Sequence, residues 1–136
     1  MIDLTITGIP ENQAILDALG GIEIFREPME ESLAILHDPM ARYPSQPART
    51  KYRRTGNYGR TWTEQITTSG NNITGVLGNN ARDKRGRAYG PFVGDDERQA
   101  HQNSHWSTDV EVMRDNESEI RARFDRKLQN VANGER

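Results

Sequence analysis

The sequence predicts an α+β domain: a small, mostly antiparallel sheet with N-terminal helices and a C-terminal amphipathic helix packed on it. Three observations carry this. The first residues alternate apolar and polar with the period of a strand. Two alternating runs flank the turn-forming "SGNN", which reads as a β-hairpin. Apolar residues at helical spacing occur both before and after that hairpin. At 136 residues the chain fits a single domain, 1–136. Its parts are an acidic strand-and-helix part over 1–42, a basic turn, hairpin and long loop over 49–105, and a C-terminal helix over 108–131.

In "IDLTITGI", Ile2, Leu4 and Ile6 alternate with Asp3, Thr5 and Thr7, the pattern of a half-buried strand. "ENQAILDALGG" predicts a short helix with Ala14, Ile15, Ala18 and Leu19 as its apolar face, stopped by Gly20 and Gly21. Pro28 suits a first helical turn, and Glu30 and Glu31 suit its positive end. Met29, Leu33, Leu36 and Met40 then mark a second helix, whose last turn Pro39 should loosen. "RYPSQPAR" is a polar connector. In "TWTEQITTS", Trp62, Glu64 and Ile66 alternate with Thr61, Thr63 and Gln65, and "ITGVLGN" returns as the partner strand. The segment from Asn80 to His105 is long for a compact domain, which predicts a loop that is functional or ordered by a partner. Thr108 and Glu111 fit a capping box. Val110, Met113, Ile120, Phe124, Leu128 and Val131 mark the expected face of the last helix. Glu117 interrupts that face, and Arg121, Arg123, Arg126 and Lys127 lie mostly off it.

Composition narrows the function. Hydrophobic residues are 33% of the chain, so the core must be economical or completed by a partner. The net charge of −2 does not imply bulk attraction to nucleic acid. The chain has no cysteine, which excludes disulfides, thiol chemistry and Cys-based zinc sites and fits a reducing compartment. No apolar run approaches a membrane span, and the N-terminus lacks the features of a signal peptide. The expectation is a soluble cytosolic product with no membrane partner.

The charges are segregated. From Glu11 to Asp38 seven acids stand against one base, Arg26. From Arg49 to Arg60 there are five bases (Arg49, Lys51, Arg53, Arg54, Arg60) and no acid. A second basic run, "RDKRGR", holds Arg82, Lys84, Arg85 and Arg87. Such asymmetry suits a protein that stacks against copies of itself or threads near a polyanion.

The basic stretch "YRRTGNYGRTW" interleaves arginine with aromatic rings, as single-strand nucleic-acid platforms do. The plainer reading sends Trp62 into the hairpin core and leaves the arginines to water or acidic neighbours. "GNYG" lacks the Lys-Ser/Thr of a phosphate loop and the third glycine of a dinucleotide fingerprint, so Gly56 and Gly59 are read as turn residues. His101 and His105 would share a helix face, with Asp95, Asp96 and Glu97 as nearby oxygen donors. The order of a known zinc motif is missing, and no metal or other cofactor is assigned. No spacing selects a nucleophile and base, and no enzymatic activity is expected. Trp62, Trp106 and Phe124 are the expected large core residues.

The order of these pieces resembles the tail-completion or neck protein family of long-tailed bacteriophages. The matching residues are Arg54, Thr55, Gly56, Tyr58, Thr61 and Trp62, then Tyr89, Pro91, Phe92, Val93, Gly94, Gln99, Ala100, His101 and Trp106. The match runs roughly from Tyr43 to Val131, and the order of its short motifs is more informative than any one of them. Tyr58 stands where Leu is common in the family and Thr61 where Ser is common. "RDKRGR" looks like an extension. The resemblance implies a structural virion protein, without chemistry, that assembles as a homo-oligomeric ring at the neck or tail end. It would lie beside head-connector and tail-tube or tail-terminator proteins, around the channel that the genome crosses. The acidic N-terminal part and the basic stretch would pair between subunits. Residues Arg49, Lys51, Arg53, Arg54, Arg60, Arg82, Lys84, Arg85 and Arg87 would serve those contacts, or touch DNA phosphates without reading sequence. The competing expectations are a small nucleic-acid-binding module using 49–60 and 82–87, and a metal-dependent hydrolase using His101 and His105.

Overall fold

A computed structural model describes residues 1–8, 13–42, 57–88 and 107–134. Strand β1 (Ile2–Thr7) is followed by helix α1 (Gln13–Ala18), a 3₁₀ turn (Ile22–Phe25) and helix α2 (Arg26–Ala41). A single helical turn, α3 (Asn57–Arg60), leads into β2 (Trp62–Ser69) and β3 (Asn72–Asn79), and helix α4 (Asp109–Ala132) closes the chain. The three strands form one antiparallel sheet in the order β1-β3-β2. This is the α+β architecture that the sequence predicts.

The hairpin forms where "SGNN" places it. Ser69 pairs with Asn72, and Gly70 turns the chain at φ 55°, a conformation that glycine adopts without strain. Strand β1 then adds to the far side of β3, with Ile2 opposite Leu77 and Ile6 opposite Ile73. One sheet face carries Ile2, Ile73, Leu77 and Trp62, all buried. Helix α2 covers that face. Its Met29, Leu33 and Leu36 are wholly buried, and Met40 nearly so, as their spacing predicts.

Both prolines of α2 sit inside it. Pro28 is its third residue, where no intrahelical amide bond is lost. Pro39 does not stop the helix, which continues to Ala41 before Arg42 turns extended.

The capping box of α4 is present. The Thr108 hydroxyl accepts the Glu111 amide at 3.2 Å, and the Glu111 carboxylate accepts the Thr108 amide at 3.2 Å. Helix α4 joins the shared core chiefly through α2, and the two run antiparallel. Arg123 reaches Glu31 at 2.5 Å, and one turn further on Lys127 reaches Glu27 at 3.0 Å. Glu31, then Glu119, holds the Arg123 guanidinium pKa above its ordinary value.

Two expected helix faces are corrected. In α1 the buried residue is Leu16, while Ile15 is 62% exposed and Ala14 and Ala18 face outward. In α4 the buried stripe is Val112, Ile120 and Phe124, while Val110 is 67% and Leu128 38% exposed. The stripe passes through Asn116, whose side chain is satisfied by the Val112 carbonyl at 2.8 Å. It is therefore masked in a reading of apolar letters alone. Glu117 stands outside the stripe, exposed and paired with Arg121. Among the described residues no helix is long and apolar enough to cross a membrane.

Candidate functional site

Part of the expected long loop has its own structure. Directly after β3, residues 81–88 fold back so that Arg82 bridges Ala88. Asp83 organises this turn. One carboxylate oxygen accepts the backbone amides of Arg85 (2.8 Å) and Arg87 (2.9 Å), and the other accepts the Arg87 guanidinium at 2.8 Å. These bonds favour the charged carboxylate, the Arg87 amide most, and hold the Asp83 pKa below its ordinary value. The Asp83 carbonyl accepts the Gly86 amide at 2.9 Å, and Gly86 takes φ 76°. Arg82 donates to the Gly86 carbonyl at 2.8 Å. Two of the four bases thus brace the turn. The other two, Lys84 and Arg85, are exposed at its tip, and their side chains have no hydrogen-bond or ion-pair partner among the described residues. The buried Ala81 anchors the turn to the core, with its amide bonded to the Asn79 side chain at 2.8 Å.

An open groove of about 700 Å³ lies among α1, the 3₁₀ turn and the facing ends of α2 and α4. Ala18, Leu19, Ile24 and Val131 supply its apolar lining. Its charged lining is Asp17, Glu23, Glu27 and Glu30, against Arg26 and Lys127. Arg26 is taken by Glu23 at 2.7 Å, and Lys127 by Glu27 at 3.0 Å. The Arg26 bond, then one from Thr68, lowers the Glu23 pKa. Among the described residues the Asp17 carboxylate accepts the neutral Gln13 amide, at 2.7 Å, and no cation, and Glu30 has no hydrogen-bonded or paired cation. Among the described residues the groove therefore carries two more carboxylates than cations, with Glu30 in the field of Arg26 but not paired with it.

Turn and groove lie at opposite ends of the sheet. The turn follows the C-terminal end of β3. The groove residue Glu23 bonds Thr68, next to the hairpin loop at the start of β3. Seven strand steps separate these ends, roughly 23 Å. The same polarity shows in α4, which starts with Asp109 beside the Met1 amino group (3.8 Å) and ends with Lys127 and Val131 in the groove.

Of the expected contact residues, Arg82, Lys84, Arg85 and Arg87 share the turn, and Arg60 is exposed at the end of α3. Arg49, Lys51, Arg53 and Arg54 lie outside the described residues. So do Trp106, most of the residues that carry the family resemblance, and His101, His105, Asp95, Asp96 and Glu97. Among the described residues no three His, Asp or Glu side chains converge as metal ligands. Trp62 and Phe124 are buried, and Phe124 meets Phe25 with ring centroids 5.8 Å apart. Sequence reasoning missed the groove because its lining comes from four separate elements. The available signal was the surplus of apolar letters on α1 and at the end of α4, more than one helix face buries. Comparison with family models, with curated proteins and with solved structures finds no match for the chain.

Proposed function

We propose that this chain is a structural protein of the neck or tail end of a long-tailed bacteriophage. It assembles into a homo-oligomeric ring that completes the tail and helps join it to the head around the DNA channel. It carries out no catalysis. It occupies the virion, after assembly in the host cytoplasm, with head-connector and tail-tube or tail-terminator proteins as its neighbours.

The observation that carries the reading is the electrostatic polarity of the domain. A braced basic turn stands at one end of the sheet, and a groove with surplus acid stands at the other. A monomeric enzyme or a simple nucleic-acid binder has no need of this arrangement. A subunit that meets like subunits through two different surfaces does, because such head-to-tail contacts form a ring when the rotation between subunits closes. The order of motifs resembling the neck family supports the same reading.

The exposed Lys84 and Arg85 favour one alternative, a small nucleic-acid-binding module. Light scattering on a size-exclusion column separates the two. The protein is run alone and then with duplex DNA at low and moderate salt. A discrete multi-chain species, annular in electron micrographs, is the expected result. A monomer that co-elutes with DNA and is released by moderate salt moves the assignment to the nucleic-acid module. A monomer indifferent to DNA overturns both.

A further inference from the structure

We infer that the acidic groove is the receptor for the basic turn of a second copy of this chain, Lys84 and Arg85 of one subunit meeting Asp17 and Glu30 of the next. The inference rests on the ring reading above and specifies its contact.

The charges are opposite in sign. Within the groove, Glu23 and Glu27 take Arg26 and Lys127 as ion-pair partners, which leaves Asp17 and Glu30 without an ion pair among the described residues. Within the turn, Asp83 neutralises Arg87 and the Gly86 carbonyl holds the Arg82 guanidinium, which leaves Lys84 and Arg85 reaching outward. Each surface carries what the other lacks. Among the described residues the two surfaces cannot satisfy each other within one subunit, since the sheet holds them apart by roughly 23 Å.

Exposed apolar side chains also flank the groove on its two helices. Ile15 precedes Ala18 and Leu19 by one turn of α1, and Leu128 precedes Val131 by one turn of α4. The single chain leaves Ile15 62% and Leu128 38% exposed. These residues give both helices their sequence-level amphipathicity, yet the subunit core does not use them. A subunit seated in the groove would bury them with the carboxylates. The turn is suited to dock because Asp83 fixes its backbone beforehand, so little ordering is needed on contact.

The contact is asymmetric, one surface to a different surface, so it propagates from subunit to subunit until it closes. Charge reversal on each side tests it in the full chain. Lys84→Glu with Arg85→Glu reverses the turn, and Asp17→Lys with Glu30→Lys reverses the groove. All four positions are exposed, and unchanged far-UV circular dichroism confirms that each variant folds. In sedimentation velocity the wild type is expected to associate, and less so as salt rises. Each variant alone is expected to lose that association. An equimolar mixture of the two is expected to regain it, because in alternating order the reversed turn meets the reversed groove and the unchanged turn meets the unchanged groove. Variants that associate like the wild type overturn this contact and leave the ring reading standing. A mixture that stays monomeric overturns the pairing of these two surfaces. A wild type that is monomeric at every concentration overturns the ring reading and this contact together.

Discussion

Gly75 lies directly beneath Met29 at the centre of the sheet. A β-carbon on Gly75 would come within 2.5 Å of the Met29 sulfur and 3.1 Å of a Leu33 methyl. Both side chains are wholly buried. The missing side chain lets α2 settle on β3 more closely than any other residue would allow. Gly75→Val is expected to overpack this contact at about 2–3 kcal/mol. That corresponds to a fall in melting temperature of about 10 °C. Gly75→Ala should cost less, because the methionine side chain can swing aside. Calorimetry on the two variants gives the ranking. Equal melting temperatures for the wild type and Gly75→Val would mean that α2 does not sit as described.

The orientation of α4 makes a sharper contrast. Val110 and Val112 are two residues apart and of one type, but Val112 is 4% exposed and Val110 is 67% exposed. Val112→Ala is expected to destabilise the fold by about 2 kcal/mol, from lost burial and a small cavity. Val110→Ala should stay within about 0.5 kcal/mol of the wild type, as surface changes do. Urea unfolding of the pair reads this directly. The face marked by apolar letters alone predicts the opposite order.

That reversal shows which features the sequence made legible. Helix α2 and the hairpin were readable because their signals are local and unopposed. Met29, Leu33, Leu36 and Met40 keep helical spacing, and Gly70 sits where a tight turn needs it. The face of α1 was not readable, and that of α4 only in part (Ile120 and Phe124 are buried as marked), because both helices are apolar on more than one side. Periodicity could not tell Leu16 from Ile15, or Val112 from Val110, without the position of α2. Asn116 hid the true stripe of α4 further, since a polar letter at a half-buried place reads as surface. The ion pairs of Glu27 and Glu31 with Lys127 and Arg123 were invisible for a different reason. They join residues about a hundred positions apart, so each side looked like part of a solvated charge run. Of the contact surfaces, the basic run at 82–87 was visible in the sequence. Its rigidity came from Asp83, the one acid inside it, and the groove opposite needed the folded chain.

The N-terminus of α4 rests on one side chain. Thr108 is 7% exposed and closes the capping box with Glu111. Thr108→Ala leaves the Glu111 amide without its acceptor and is expected to cost about 1 kcal/mol. Thr108→Ser keeps the hydroxyl and should recover most of that. Denaturation midpoints of the three proteins test the cap. A serine variant as weak as the alanine variant would assign the loss to the threonine methyl and its packing.

Asp83 gives the turn a pH dependence of known sign. Its folded pKa is lowered, chiefly by the Arg87 amide, so the ionised carboxylate is the form that the turn stabilises. The bracing is therefore complete above the ordinary aspartate value of about 3.9 and is lost as pH falls through the lowered folded value. The backbone amide signals of Arg85 and Arg87 should titrate together in this acid range, with a midpoint below that of an unstructured aspartate. Asp83→Asn keeps an oxygen acceptor for the two amides but removes the charge, so it should abolish the titration while preserving much of the turn. Asp83→Ala should remove both, and hydrogen exchange at the Arg85, Gly86 and Arg87 amides should quicken while the core amides of β3 stay protected. The alanine variant also bears on assembly, because it leaves Lys84 and Arg85 in place and takes away only their preset geometry. If the turn docks into the groove of a neighbouring subunit, association weakens in Asp83→Ala even though the net charge of the turn becomes more positive. If charge alone drew the subunits together, the same variant would associate more strongly, so the direction of its change separates a shaped contact from a diffuse electrostatic one.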